Sequence, residues 1–257
     1  MKAVILAGGR GTRISEETLL KPKPLIEVGG MPILWHIMKI YSAFGIYEFV
    51  ICCGYKSYMI KEFFSNYFLR MTDVTFDMKF NNLEVHQQHA EPWRVTVVDT
   101  GEDTMTGGRL KRAREYIGSE TFCFTYGDGV SDLNIQKLLE FHRQQKTIAT
   151  MTATQHYSRF GVVNVNGSSL VSKFIEKPRH EGSWLNSGFF VMEPRIFDYI
   201  EGDHVIFEKE PIAKLVADKQ LAAYRHEGFF QGMDSLRDRE LLEGLWREGK
   251  APWKVWA

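Results

Sequence analysis

The feature that most constrains the fold is an apolar run, Ala3 to Ala7, that breaks directly into Gly8-Gly9-Arg10-Gly11. A run with no polar alternation suits a strand covered on both faces, as in parallel sheets layered between helices. Glycines at the carboxyl end of such a strand remove side-chain bulk, so backbone N–H groups can approach an anion or a base closely. The opening of the chain therefore predicts an α/β fold with a ligand loop after the first strand.

The rest of the first half continues this rhythm. Residues 49–53, 95–98 and 122–126 read as further strands. Helical spacing appears over residues 32–44, opened by Pro32 and stopped by Gly45, and over 58–64, 108–117 and 133–144. From Thr147 onward the strand-like segments 147–154, 161–165, 170–176 and 187–192 crowd together. They predict a largely antiparallel continuation, followed by helices near 208–217 and 235–248. The expected fold is Rossmann-like α/β, with a mixed, mostly parallel sheet flanked by helices and a C-terminal lobe. A soft boundary near residue 130 divides it into halves, 1–130 and 131–257.

Composition narrows the function classes. Lys plus Arg and Asp plus Glu each total 32 in 257 residues, so the formal net charge is zero. That argues against a nucleic-acid coat or a polybasic membrane binder. The three cysteines, with Cys52 and Cys53 adjacent and Cys123 apart, offer neither a disulfide framework nor zinc spacing, and read as buried strand residues. The MKAVILAGG start is too short for a signal peptide, and no run of about 18 apolar residues occurs. The expected location is the cytoplasm.

The strongest local motif is Leu6-Ala7-Gly8-Gly9-Arg10-Gly11-Thr12-Arg13. It is not a P-loop, because no Gly-Lys-Ser/Thr follows. It also lacks the full dinucleotide fingerprint, because Ile14 stands in the third glycine's place. Arg13 adds a planar, permanent charge for phosphate oxygens, and Arg10 is a further candidate contact. Lys21-Pro22-Lys23-Pro24 follows, a stiff segment that presents lysines from a fixed backbone. Read alone, the first motif could be a flexible turn and the second a solvated basic turn. Asp128, after Gly127 at a strand end, sits where parallel sheets place ligands, though it could be a turn residue. Asp234, ahead of a helix, could be an N-cap. Asn186 in an apolar strand needs a polar partner, which the backbone or a ligand hydroxyl could supply.

Taken together, Gly-Gly-x-Gly-Thr-Arg, Lys21 to Pro24, Tyr126-Gly127-Asp128, Glu176-Lys177-Pro178, Asn186-Ser187-Gly188-Phe189-Phe190 and Met233-Asp234 resemble the sugar-phosphate nucleotidyltransferases, over essentially the whole chain. Glu91-Pro92-Trp93, Asp99-Thr100-Gly101, Met105 to Arg112 and the ending around Gly244-Leu245-Trp246 and Ala251 to Lys254 resemble the branch that uses CTP. Met31 departs from the pattern, since related enzymes often carry lysine there.

The resemblance implies transfer of a cytidylyl group from CTP to α-D-glucose 1-phosphate, giving CDP-glucose and pyrophosphate for dideoxyhexose and O-antigen precursors. Arg13, Lys23 and Asp128 would be catalytic, and Asp128 with Asp234 would hold Mg²⁺. Leu6, Ala7, Gly8, Gly9, Arg10, Gly11, Thr12, Thr104, Gly107, Arg109 and Gly127 would line the nucleotide site. Within it the loop 104–109 would read cytosine, with Arg109 as its strongest side-chain donor. Lys177 would hold the sugar phosphate, with Glu176, Asn186 and Gly188 on the sugar. Residues 1–130 would then be the nucleotide half and 131–257 the sugar-phosphate half. The partners implied are the two substrates and other copies of the chain, a homo-oligomer such as a hexamer, with no nucleic acid and no membrane. The rivals are a UTP- or dTTP-using relative and a non-catalytic regulatory homologue.

Overall fold

The computed structural model describes residues 1–11, 14–155, 162–166, 171–175 and 184–256. Strands β1 (Lys2–Ala7), β2 (Glu48–Cys53), β3 (Arg94–Asp99), β4 (Phe122–Tyr126), β5 (Ala149–Thr154), β6 (Leu185–Met192) and β7 (Leu221–His226) form one sheet. Their order is β7-β5-β6-β4-β1-β2-β3. β1 runs parallel to β2 and β4, and β2 parallel to β3. β6 runs against both β4 and β5, while β7 rejoins β5 in parallel. The sheet is thus mixed and mostly parallel, with β6 reversed. The reversal makes both pairings of β6 antiparallel, as the crowded strands suggested. The edge strand β7, Leu221 to His226, has no counterpart in the sequence reading: it is half-exposed, and its apolar residues Leu221 to Tyr224 include two alanines and lack β-branching.

Helices α1 (Ile33–Ser42), α2 (Ser57–Ser65), α3 (Thr106–Arg112), α4 (Arg114–Ile117), α5 (Ile135–Gln145), α6 (Glu210–Ala217) and α7 (Leu236–Arg247) cover the two faces. The strand period of two sorts the core. Ala3, Ile5 and Ala7 pack with Ile33 and Ile37 of α1, Leu138 of α5 and Leu242 of α7. Val4 and Leu6 point the other way, to Leu110 of α3, Ile117 of α4 and Leu215 of α6. The helix expected over 108–117 is two short helices meeting at Ala113. A hairpin, Thr72–Asp77 with Asn82–Gln88, stands outside the sheet and was not anticipated. The three cysteines are free and buried, and burial pushes the Cys53 and Cys123 thiols up to about 12. No helix among the described residues is long and apolar enough to cross a membrane.

From β1 the chain moves outward to β2 and β3, then returns to the other side of β1 as β4. This reversal of direction opens a crevice at the carboxyl ends of β1 and β4, the place where open α/β sheets receive ligands.

Candidate active site

A cavity of about 530 Å³ occupies that crevice. It is walled by residues 6–11, Lys23 and Pro24, the segment 102–106 with Arg109, residues 126–128 and Asp234. Its size and mixed lining suit a nucleotide-sized ligand.

The floor is built around Arg109, which is 5% exposed. Nη1 donates to the Cys53 carbonyl (3.2 Å), Thr100 Oγ1 (3.0 Å) and the Gly101 carbonyl (2.6 Å), and Nη2 to the Glu102 carbonyl (2.9 Å). One side chain on α3 therefore ties the end of β2 to the loop after β3. Glycine at positions 8 and 54 makes room for it: a Cβ on either would lie 2.2 Å from Arg109 Nη1. Arg109 borders the cavity, yet the Nη1 donors and one of the two on Nη2 already go to these protein oxygens.

Across the cavity, Lys23 leads a single turn of 3-10 helix, Lys23–Leu25, after an extended Pro22. Its Nζ donates to Asp128 Oδ2 (2.7 Å) and Asp234 Oδ1 (2.8 Å). Burial pulls the lysine pKa down, but attraction to Asp128 and then Asp234 outweighs it and leaves the group above its ordinary value. The two aspartates meet because Met233 N donates to the Asp128 carbonyl (2.8 Å), and Gly129–Ser131 pairs antiparallel with Phe230–Gly232. Gly127 is pinned to β1, its N–H donating to the Leu6 carbonyl at 2.8 Å. The Asp238 carboxylate accepts from the backbone N–H groups of Asp234 and Ser235 and so fixes the 234–235 turn.

The carboxylates fit a hard divalent cation. Two oxygens from different loops already converge on one cationic point, and the side chains are 37% and 43% exposed, leaving room for water and phosphate ligands. No cluster of three or more metal-binding side chains occurs among the described residues, and Mg²⁺ ordinarily needs only one or two protein carboxylates.

The other expected residues divide. Leu6 to Gly11, Thr104 and Gly127 line the cavity. Arg10 reaches across its mouth to Glu102 and Asp103, 3.1 Å from each. Gly107 turns away from the cavity, its N–H donating to the Val205 carbonyl at 2.9 Å. Asn186 and Gly188 do not line the cavity but support Tyr126, which does. Gly188 has φ +79°, and a Cβ there would lie 2.4 Å from the Tyr126 ring. Asn186 Oδ1 accepts from Gly188 N at 2.8 Å. Thr12, Arg13, Glu176 and Lys177 lie outside the described residues.

Sequence reasoning missed Glu208. It accepts from Tyr126 Oη and from Thr106 Oγ1 (2.7 Å), and Thr106 in turn accepts from Phe207 N. Burial, then Glu208, raises the Tyr126 pKa, so the phenol stays protonated. Tyr126 was visible in its motif. Glu208 carries no local signal, since its partners lie far away in the chain.

Residues 2–247 match the family model described as nucleotidyl transferase. The chain is 56% identical, over all 257 residues of both proteins, to glucose-1-phosphate cytidylyltransferase of Salmonella typhimurium. Among solved structures, UDP-glucose pyrophosphorylase complexed with UDP-glucose matches with a TM-score of 0.69 at 15% identity, over 96% of this chain and 98% of that one. HddC from Yersinia pseudotuberculosis matches at 0.67 and 22%, over 95% and 99%. At those identities the structural likeness shows the fold alone.

Proposed function

The chain belongs to the nucleotidyl transferase family, and from that premise we propose that it transfers the cytidylyl group of CTP to α-D-glucose 1-phosphate, giving CDP-glucose and pyrophosphate. The observation that carries this reading is the cavity at the β1/β4 crevice, which joins the glycine loop, Lys23 and the Asp128–Asp234 pair in a chain 56% identical end to end to a glucose-1-phosphate cytidylyltransferase.

The chemistry needs little covalent help from the protein. An oxygen of the sugar phosphate attacks the α-phosphorus of the nucleotide, and pyrophosphate leaves opposite. Positioning and charge neutralisation do most of such work. The glycine loop supplies backbone donors beside the nucleotide, and Lys23 and Arg13 supply positive charge for the phosphates. Loop 104–109 reads the base, on a floor set by Arg109. Glu176, Lys177, Asn186 and Gly188 serve the sugar phosphate side, which gives the half 131–257 its role opposite the nucleotide half 1–130. Asp128 and Asp234 are the residues that would hold a divalent cation, for which we propose Mg²⁺. When bound, it would neutralise charge between the reacting phosphate and the leaving pyrophosphate.

The proposal extends to a cytoplasmic homo-oligomer, of which a hexamer is one form, supplying precursors of bacterial surface polysaccharide. The deciding experiment is pyrophosphate release with glucose 1-phosphate and each of CTP, UTP, dTTP and GTP. CTP should lead by at least an order of magnitude in kcat/KM. Equal use of UTP or dTTP would overturn the base assignment, and no release with any nucleotide would overturn the reaction.

A further inference from the structure

Lys23 holds one oxygen of each carboxylate that the reading above gives to a cation. Its Nζ lies 2.7 Å from Asp128 Oδ2 and 2.8 Å from Asp234 Oδ1. A divalent ion set between those oxygens, at the 2.0–2.1 Å typical of Mg²⁺, would share the ammonium's place. On that shared pair of oxygens one of the two cations must yield. The lysine side chain is only 10% exposed, and the backbone beneath it cannot follow, held by two prolines and by the Ile26 N–H on the Lys23 carbonyl. The side chain must therefore swing on its own four-carbon stem, and it borders the cavity into which a triphosphate would come.

We propose that Lys23 is a built-in counter-cation: it occupies the Asp128–Asp234 pair in the free enzyme and yields it when nucleotide phosphates offer the ammonium new oxygens. The proposal rests on the reading of Asp128 and Asp234 as the metal-holding pair. Its consequence is a coupling. Metal binds weakly before the nucleotide, and each raises the affinity of the other by the same factor. Premature metal loading is opposed by a charge that the same active site later uses on the phosphates.

The test uses Mn²⁺ as the probe, read by the EPR signal of the free ion, on the full chain without nucleotide. Wild type, Lys23→Gln, Lys23→Met and the combination of each with Asp128→Asn are compared, with melting curves to establish folding. Removing one positive charge at hydrogen-bond range should tighten Mn²⁺ binding at least tenfold, and Asp128→Asn should abolish that gain. If the Lys23 variants bind no tighter, while Asp128→Asn still weakens Mn²⁺ binding to the wild type, the counter-cation role fails and the metal-holding pair survives. If Mn²⁺ binding ignores Asp128→Asn in every background, the pair itself is wrong and the proposal falls with it. A wild-type arm needs no substitution. CMP, a poor chelator in free solution, should raise Mn²⁺ affinity, and an unchanged affinity overturns the coupling even if the variants do not fold.

Discussion

Arg109 shows how a single side chain can border the expected cavity and still turn most of its donors to the protein. Its position in Met105-Thr106-Gly107-Gly108-Arg109 marks it for the nucleotide site, and it does border the cavity. What no sequence spacing reveals is that it sits under Gly8 and Gly54 and spends its Nη donors on three carbonyls and a threonine hydroxyl. Burial also pulls its pKa below the ordinary arginine value. Arg109→Ala removes the bonds that hold residues 100–102 against the end of β2, so it should lower the kcat/KM preference for CTP over UTP by about one to two powers of ten through the loop it supports, not through a contact of its own with the base. Arg109→Lys should not restore it, because a point ammonium cannot span acceptors arranged for a planar fork. A preserved CTP:UTP ratio with uniformly lower activity would mean that the loop Arg109 holds does not read the base. On the other side of the reaction, Lys177→Ala should weaken glucose 1-phosphate far more than CTP in calorimetric titrations. Equal losses for both ligands would remove its assignment to the sugar phosphate.

At the scale of elements, legibility followed punctuation. α1 was readable because Pro32 opens it and Gly45, at φ +81°, closes the turn beyond it. The buried strands β1, β2 and β4 announced themselves as apolar runs. The hairpin Thr72–Asp77 with Asn82–Gln88 did not, because its turn contains neither glycine nor proline, and Asn81 takes the left-handed conformation instead. Its apolar residues are also largely outside the core, with Phe76 and Phe80 exposed. The start of α7 lay between these cases. The reading of Asp234 as an alternative N-cap was one residue off, for Ser235 caps the helix and forms a reciprocal box with Asp238. That box matters to the site, because Asp238 Oδ2 also receives the Asp234 N–H. Ser235→Ala should therefore cost about 1 kcal/mol of stability. It should also lower turnover by freeing the turn that carries Asp234. Urea titration beside kcat separates the two effects: a stability loss with unchanged kcat would show that the cap does not position Asp234.

At the scale of the whole molecule, the C-terminal segment returns to the first helix. The sequence marked Gly244-Leu245-Trp246 and Ala251 to Lys254 only as points of resemblance. Trp246 and Trp253 of these segments, with Trp256, pack around His36, which is completely buried. Its ring meets Trp246 edge-on at 4.7 Å between centroids and Trp35 at 5.1 Å. Nε2 donates to the Val28 carbonyl (2.8 Å), and Nδ1 accepts from Trp253 Nε1 (3.3 Å), a pattern that assigns the neutral tautomer. Protonation would place a second N–H against the indole donor. Burial lowers the His36 pKa from 6.5 to about 4, only partly opposed by the Val28 and Met31 carbonyls and by Glu243. Between those two values the unfolded chain binds the proton and the folded chain does not. The stabilisation is therefore full above about pH 6.5 and is lost as pH falls towards about 4. A depression of that size corresponds to roughly 3 kcal/mol across the window. Other groups titrate there too, so the informative quantity is a difference between proteins. His36→Gln keeps a donor for Val28 and an acceptor for Trp253 but has no proton to gain. Urea unfolding at pH 7.5 and pH 4.5 should show the wild type losing about 2–3 kcal/mol more than His36→Gln on acidification. Equal losses would mean that the joint between the two ends of the chain tolerates a charged imidazole, and that acid sensitivity arises elsewhere in the molecule.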